Sequence, residues 1–205
     1  MAKTIQEFVA EREIKFLLHF TRAKNLPSIL TRGLIPRNKL ITEGFTDFND
    51  QLRLDETDAV CLSIGFPNYK MFYGIQKDHA NETWVILVIN PQVLWQLNCA
   101  FCAANAASSS VTAIPLWKRK QLSAFQAMYA DWPTKSRADL NIPNQYPTNP
   151  QAEVLALQGI PKRYFLGIIT LNSSIKEELS ALYPDADIQA IAQYFRYRKD
   201  YEHWK

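Results

Sequence analysis

Glycine is scarce in this chain, six in 205 residues, and neither GxGxxG nor GxxxxGK followed by Ser or Thr occurs. Turns that cradle a pyrophosphate need those glycines, so the scarcity argues against nucleotide binding of the Rossmann or P-loop kind. Histidine and cysteine number only three each. An odd cysteine count argues against a secreted disulfide framework. Cys99 and Cys102 form a CxxC without a second pair, and the histidines are dispersed, so two small buried thiols explain the pair better than zinc or redox chemistry. No metal is expected. The longest apolar stretch, from Trp84 to Ile89, is far too short to cross a bilayer, and the first twelve residues carry Lys3, Glu7, Glu11 and Arg12 rather than a signal-like segment. The expectation is a cytoplasmic protein with no membrane partner.

Charge is nearly balanced. A net +3 does not demand a nucleic-acid partner, although it permits one if the basic side chains gather on one face. The 47% hydrophobic and 21% charged content is that of a globular chain, and the length suits a single domain spanning residues 1–205.

Ile5, Phe8 and Val9 at helical spacing predict an opening helix over residues 4–13, and residues 16–20 read as a buried strand. Thr21 is placed to cap a helix with Leu26, Ile29 and Leu30 on one face, stopped at Gly33. Periodicity is then lost over residues 34–58, a long irregular loop with room for one short helical piece. Strands are predicted over 60–64 and 83–89, with a helical turn over 69–75 and a helix from Asn90 and Pro91 to Leu97. Residues 116–129 read as helical, and residues 130–150 as a second polar loop held irregular by four prolines. Strands over 154–157 and 165–171, turned around Gly159 and Pro161, precede a helix capped by Ser173 or Ser174 and a segment over 187–195 that is helix or strand. Short strands and helices without alternating βαβ units indicate an α+β fold.

As bare residues, His19 at the end of an apolar strand is either a satisfied core histidine or a polar group offered to a ribose or anion, and Thr21 is a helix cap or a ligand. Glu153, opening an apolar run, is either an exposed strand-edge carboxylate or a catalytic acid. The strings His19, Phe20, Thr21, with Asn25, Leu26, Ile29, Leu30, Gly33 and Leu34, and later Gln151, Ala152, Glu153, Val154, Leu155, resemble the DarT family of DNA ADP-ribosyltransferase toxins. Pro67 with Met71, Phe72 and Tyr73 resembles a further segment of that family, so the likeness covers most of residues 14–171.

That resemblance implies an ADP-ribosyltransferase-like fold with a split central β-sheet flanked by helices. It implies an enzyme that moves ADP-ribose from NAD, the co-substrate, onto a base of single-stranded DNA, releasing nicotinamide and blocking replication. His19, Phe20 and Thr21 would hold the nicotinamide end, Ser28 and Leu34 would supply further contacts, and Tyr73 would stack near the nicotinamide. Glu153 would be the catalytic acid, facing the positive charge that grows on the ribose as the glycosidic bond breaks. The family also uses an arginine in the loop after the first helix, here Arg53 with Arg37 as fallback, to pair with the pyrophosphate or help deprotonate the attacking base. A macrodomain antitoxin is the implied partner. The acceptor could instead be RNA or protein, or the chain could be a non-catalytic NAD- or nucleic-acid-binding relative.

In this fold the loop leading to the catalytic strand meets the acceptor, and residues 117–149 supply Lys118, Arg119, Lys120 and Arg137 with the rings of Tyr129, Trp132 and Tyr146. Cations suit phosphates and rings suit unstacked bases, the needs of a single strand. The run from Tyr194 to Tyr201 also alternates rings with cations, for which an edge strand with one buried aromatic face is the preferred reading over nucleic-acid binding.

Overall fold

The computed structural model describes residues 2–46, 48 and 58–205. Helix α1, Ile5–Glu11, is capped by Thr4, whose hydroxyl accepts from the Glu7 N–H, and it buries Phe8 and Val9. Strand β1 follows at Leu17–Arg22. Thr21 lies inside that strand rather than capping a helix. A 3-10 turn, Ala23–Asn25, intervenes before α2, Leu26–Arg32, so the expected cap is corrected to Asn25, which makes no side-chain cap bond. Gly33 ends α2 at φ +87°, as its place in the sequence requires, and α3, Arg37–Thr42, is the short helical piece of the loop.

Strand β2, Val60–Ile64, leads to α4, Tyr69–Asp78, which starts where expected, with Asn68 as its cap accepting from the Met71 N–H, and runs on to Asp78 beyond the predicted turn. Strand β3, Trp84–Ile89, precedes a one-turn α5, Val93–Gln96. Strand β4, Cys99–Cys102, is not evident from the sequence: all four residues are buried, so no alternation marks it. Pleating puts Cys99 and Cys102 on opposite faces, where they cannot share a metal or a disulfide. Both are free and buried, and burial pushes the Cys99 thiol up to about 12.

One-turn helices α6, Ser109–Thr112, and α7, Leu116–Arg119, lead to α8, Leu122–Ala127, and α9, Arg137–Leu140 interrupts the second polar loop. Strands β5, Glu153–Ala156, and β6, Phe165–Thr170, fall where expected. Helix α10, Ser173–Leu182, is capped by Asn172 and not by either serine, its amide oxygen accepting from the Ile175 N–H at 3.0 Å. Strand β7, Ile188–Ala190, resolves the helix-or-strand choice. Beyond it the backbone makes 3-10 turns at Ala192–Phe195 and Tyr201–Trp204, so the expected C-terminal edge strand is absent among the described residues.

The seven strands form one sheet in the order β4-β5-β2-β1-β3-β6-β7, antiparallel except for the β6 and β7 pair joined through α10. One face is continuous: Leu17, Leu62, Leu87, Phe101, Val154 and Ile168 share a core with Phe8, Leu26 and Phe125 from the helices above. The other face carries two separate clusters. Leu18, Trp84, Ile86 and Ile169 pack on Phe72, whereas Ala100, Cys102 and Leu155 pack on Ala106 and Val111. Between those clusters runs the seam of β1 and β2.

Candidate active site

Strand β1 pairs with β3 over all six residues but with β2 only at Leu17↔Ile64 and Leu18↔Ser63. Past Leu18 the two strands part. A cavity of about 270 Å³ opens there, walled by residues 18–21 of β1 and by residues 59–63 at and before β2, with Glu153 also in its lining. The sheet is split at its centre, as the resemblance implies.

His19 bridges that split. Its Nδ1–H donates to the Cys61 carbonyl at 2.9 Å, a side-chain bond across a seam the backbone ladder no longer spans. A carbonyl only accepts, so Nδ1 carries the proton and Nε2 of the neutral ring is an acceptor. Burial lowers the His19 pKa below its ordinary value, with the bond to Cys61 opposing. The imidazole therefore stays neutral at pH 7, a hydrogen-bonding ligand rather than a cation.

Thr21 is buried, and its Oγ1 accepts from Asn25 Nδ2 at 3.0 Å. Asn25, Ser28 and Leu34 line the cavity with His19, Phe20 and Thr21, so every contact expected from the first unit converges there. The floor is tight. Leu34 bridges Ile160, and a side chain on Gly33 would meet the Ile160 carbonyl at 2.4 Å.

Glu153 is the first residue of β5, a strand away from β1, and is only 5% exposed. It is not the solvent-facing strand-edge acid of the alternative reading. Its Oε2 accepts from the Ala106 N–H at 2.7 Å, which fixes the rotation of the carboxylate inside the wall of the cavity. Sequence reading missed that anchor, because Ala106 lies in a stretch of small residues with no marking of its own.

Arg53 lies outside the described residues. Arg37, the fallback, lines the cavity at the start of α3 with its guanidinium 4.4 Å from the Phe48 ring. Ser63, Met71 and Ile75 also line it and were not foreseen. Tyr73 does not line it, which corrects the expected stacking role: Met71 and Ile75 are four residues apart on the inner face of α4, and Tyr73 between them points outward, 55% exposed and against Tyr197.

The expected acceptor loop also sorts itself by burial. Tyr129 is 3% exposed, packed edge-on against Phe8 and Phe125, and its hydroxyl donates to the Gln145 carbonyl, so it cannot meet a base. Burial drives its pKa far upward. Arg119 is buried as well, beside Cys102. Arg137 donates to the carbonyls of Pro143, Asn144 and Tyr146 and to the Thr148 hydroxyl, pinning the loop instead of awaiting a phosphate. Tyr146 is half-buried with its ring over Gly65. Trp132, half-buried, meets Trp204 edge-on. Lys118 is exposed beside the exposed Trp117, and Lys120 is half-buried near α1 and α5.

A mixed sheet opened at its centre over a cleft of this kind is the architecture of the ADP-ribosyltransferase-like α+β folds, and the same topology is found in solved structures. A Thermus sp. 2.9 DarT in complex with ADP-ribosylated ssDNA is 18% identical with TM-score 0.58, covering 90% of this chain and 97% of that one. A Thermus sp. 2.9 DarT in complex with NAD+ is 17% identical with TM-score 0.55, covering 90% and 98%. A Thermosipho africanus DarTG in complex with ADP-ribose is 17% identical with TM-score 0.55, and this chain spans about half of it, 51%, while 88% of this chain is covered. None of the curated proteins matches. The DarT family, described as ssDNA thymidine ADP-ribosyltransferase, matches residues 18–201, and the chain belongs to that family. Among the described residues no cluster of His, Cys, Asp and Glu could hold a metal, and no helix is long and apolar enough to cross a membrane.

Proposed function

We propose that this chain transfers ADP-ribose from NAD onto thymidine in single-stranded DNA, with the nicotinamide end of NAD seated in the split between β1 and β2. The observation that carries the assignment is the presence of His19 and Glu153, 134 positions apart in the chain, in the lining of one cavity. The neutral imidazole accepts a hydrogen bond from a ribose hydroxyl through Nε2, and Thr21 with Asn25 offers polar groups to the amide. The Glu153 carboxylate, held by the Ala106 N–H, faces the sugar carbon.

As the bond from that carbon to nicotinamide breaks, its electron pair passes to the pyridinium nitrogen and positive charge collects on the sugar. A fixed, largely dry carboxylate stabilises that charge more than it stabilises bound NAD, which is what lowers the barrier. A nucleophilic atom of the thymine then bonds to the same carbon and its proton leaves. A duplex would hide that base, so the accessible acceptor is a single strand. Arg37, in the cavity lining, and Arg53 are the arginines suited to the pyrophosphate. Unchecked, such activity blocks replication, which supports a toxin role opposed by a macrodomain antitoxin.

The test is mass spectrometry of single-stranded oligonucleotides that differ at one position after incubation with the protein and NAD. We expect a gain of one ADP-ribose on strands that contain thymidine and none on their thymidine-free counterparts. Modification of RNA alone, or of no strand, would overturn the assignment.

A further inference from the structure

The C-terminal alternation of rings and cations is not a strand, so a buried aromatic face does not account for it. Its rings divide between two surroundings. Tyr194 and Phe195 turn inward against Phe16, Phe66 and Phe72. Tyr197, 46% exposed, stacks on Tyr201 with centroids 5.1 Å apart and planes at 21°, and the exposed Tyr73 of α4 adjoins Tyr197 at 5.5 Å. Tyr69 buttresses Tyr197 edge-on from beneath. Three tyrosine rings thus form a solvent-facing ladder that no packing requirement demands.

Cations flank this ladder. Lys77 stands four residues after Tyr73 on the same face of α4, while Lys70, three residues before it, donates to the Trp204 carbonyl. Arg196 and Lys199 are exposed on either side of Tyr197, and Lys205 Nζ lies 5.3 Å from the centre of the Tyr201 ring. Asp200 is buried against Arg198 and the Trp204 indole, and Glu202 pairs with Lys205, so the net positive charge beside the rings comes from Lys77, Arg196 and Lys199. Exposed π-faces interleaved with lysine and arginine are the chemistry of a single-stranded nucleic acid: rings take bases of any identity, and cations take the phosphates between them.

The ladder's position ties it to the reaction. Helix α4 shows Met71 and Ile75 to the NAD cavity and Tyr73 to the ladder, so one helix width, about 10 Å, separates the two. We propose that Tyr73, Tyr197 and Tyr201 form a stacking platform for the nucleotides flanking the target base of the single-stranded DNA substrate. The proposal rests on the assignment of DNA as acceptor. It assigns sequence-tolerant grip to the platform and leaves base selection to the cavity.

Fluorescence anisotropy of a labelled, thymidine-containing single strand, titrated with the full chain without NAD, reads the platform independently of turnover. Tyr197→Ala should weaken binding about tenfold and raise KM for DNA by a similar factor, because each stacked base contributes on that scale. Tyr197→Trp, which restores a π-face, should restore affinity, and NAD binding and the melting temperature should stay at the unaltered chain's values. DNA affinity unchanged in Tyr197→Ala, or lost equally in Tyr197→Ala and Tyr197→Trp, would overturn the platform. Intact DNA binding by the unaltered chain without any transfer would count against the acceptor assignment and not against the ladder.

Discussion

His19 uses its two ring nitrogens separately: Nδ1–H closes the seam to Cys61, and Nε2 serves as the acceptor. Its lowered pKa makes stability depend on pH in a definite sense. An unfolded chain binds a proton on this residue near pH 6.5, while the folded protein resists binding it until lower pH. Stability is thus fully present above about pH 6.5 and declines as pH falls towards the folded value, by at most about 1.4 kcal/mol per pH unit from this group. Melting curves of the unaltered chain and of His19→Gln should converge as pH falls below about 6.5, because the variant lacks this proton linkage. Parallel curves would show that His19 is not held neutral. At this scale the short strings that carry the family likeness pointed to His19, Thr21, Ser28, Leu34 and Glu153, and these residues line one cavity. It was uninformative about Ala106, whose contribution is a backbone N–H, and misleading about Tyr73, Tyr129 and Arg137, whose side chains resemble ligands while burial or helix phase commits them elsewhere.

Among the elements, the close approach between the end of α2 and the turn after β5 depends on two glycines set face to face. Gly33 and Gly159 both have positive φ, and the side chain that either one lacks would strike the backbone of the other's segment, Ile160 for Gly33 and Leu34 for Gly159. Gly33→Ala should therefore cost more than about 2 kcal/mol, since an L-residue in the left-handed region loses about 1–2 and the clash adds to it. In thermal melts that is a loss of about 5 °C or more for a chain of this size. Gly74→Ala supplies the contrast: the glycine sits inside α4 with open space around it, so the substitution should raise stability by about 0.5–1 kcal/mol. Equal effects at both positions would refute this account of the cleft floor. Strands β1, β2, β3, β5 and β6 were legible because they are apolar runs of strand length between breakers. Strand β4 and the caps at Asn25 and Asn172 were not, the first for want of alternation and the caps because neighbouring Thr and Ser residues offer the same signal. The C-terminal segment misled for a further reason. Arg198 reads as one more surface cation, yet it is 3% exposed, paired with Asp200 at 2.6 Å and donating to the carbonyls of Pro147 and Thr148, so it ties the chain's end to the loop that delivers Glu153.

Across the whole molecule, one continuous core supports both halves of the sheet, and the opposite face is left in two clusters with the cleft at the seam between them. That arrangement presents an imidazole from β1 and a carboxylate from β5 to one cavity. Sequence reading reached the α+β class from the pattern of short strands and helices and the split sheet through family likeness, since strand order cannot be read from periodicity. The net charge conceals how the cations are placed: Lys77, Arg196 and Lys199 are exposed beside the C-terminal rings, whereas Arg119 of the central loop is buried and Arg137 is bonded to backbone carbonyls.

Nicotinamide release from NAD, followed together with calorimetric NAD binding in the unaltered chain and in Glu153→Gln, tests the central claim most directly. The glutamine keeps an oxygen for the Ala106 N–H and replaces the other, charged carboxylate oxygen with an amide NH2. NAD should still bind within a few-fold while turnover falls by about a thousandfold, the scale of removing one transition-state stabiliser. Turnover that survives in Glu153→Gln would contradict the role given to this carboxylate and with it the placement of the reacting sugar in the cleft.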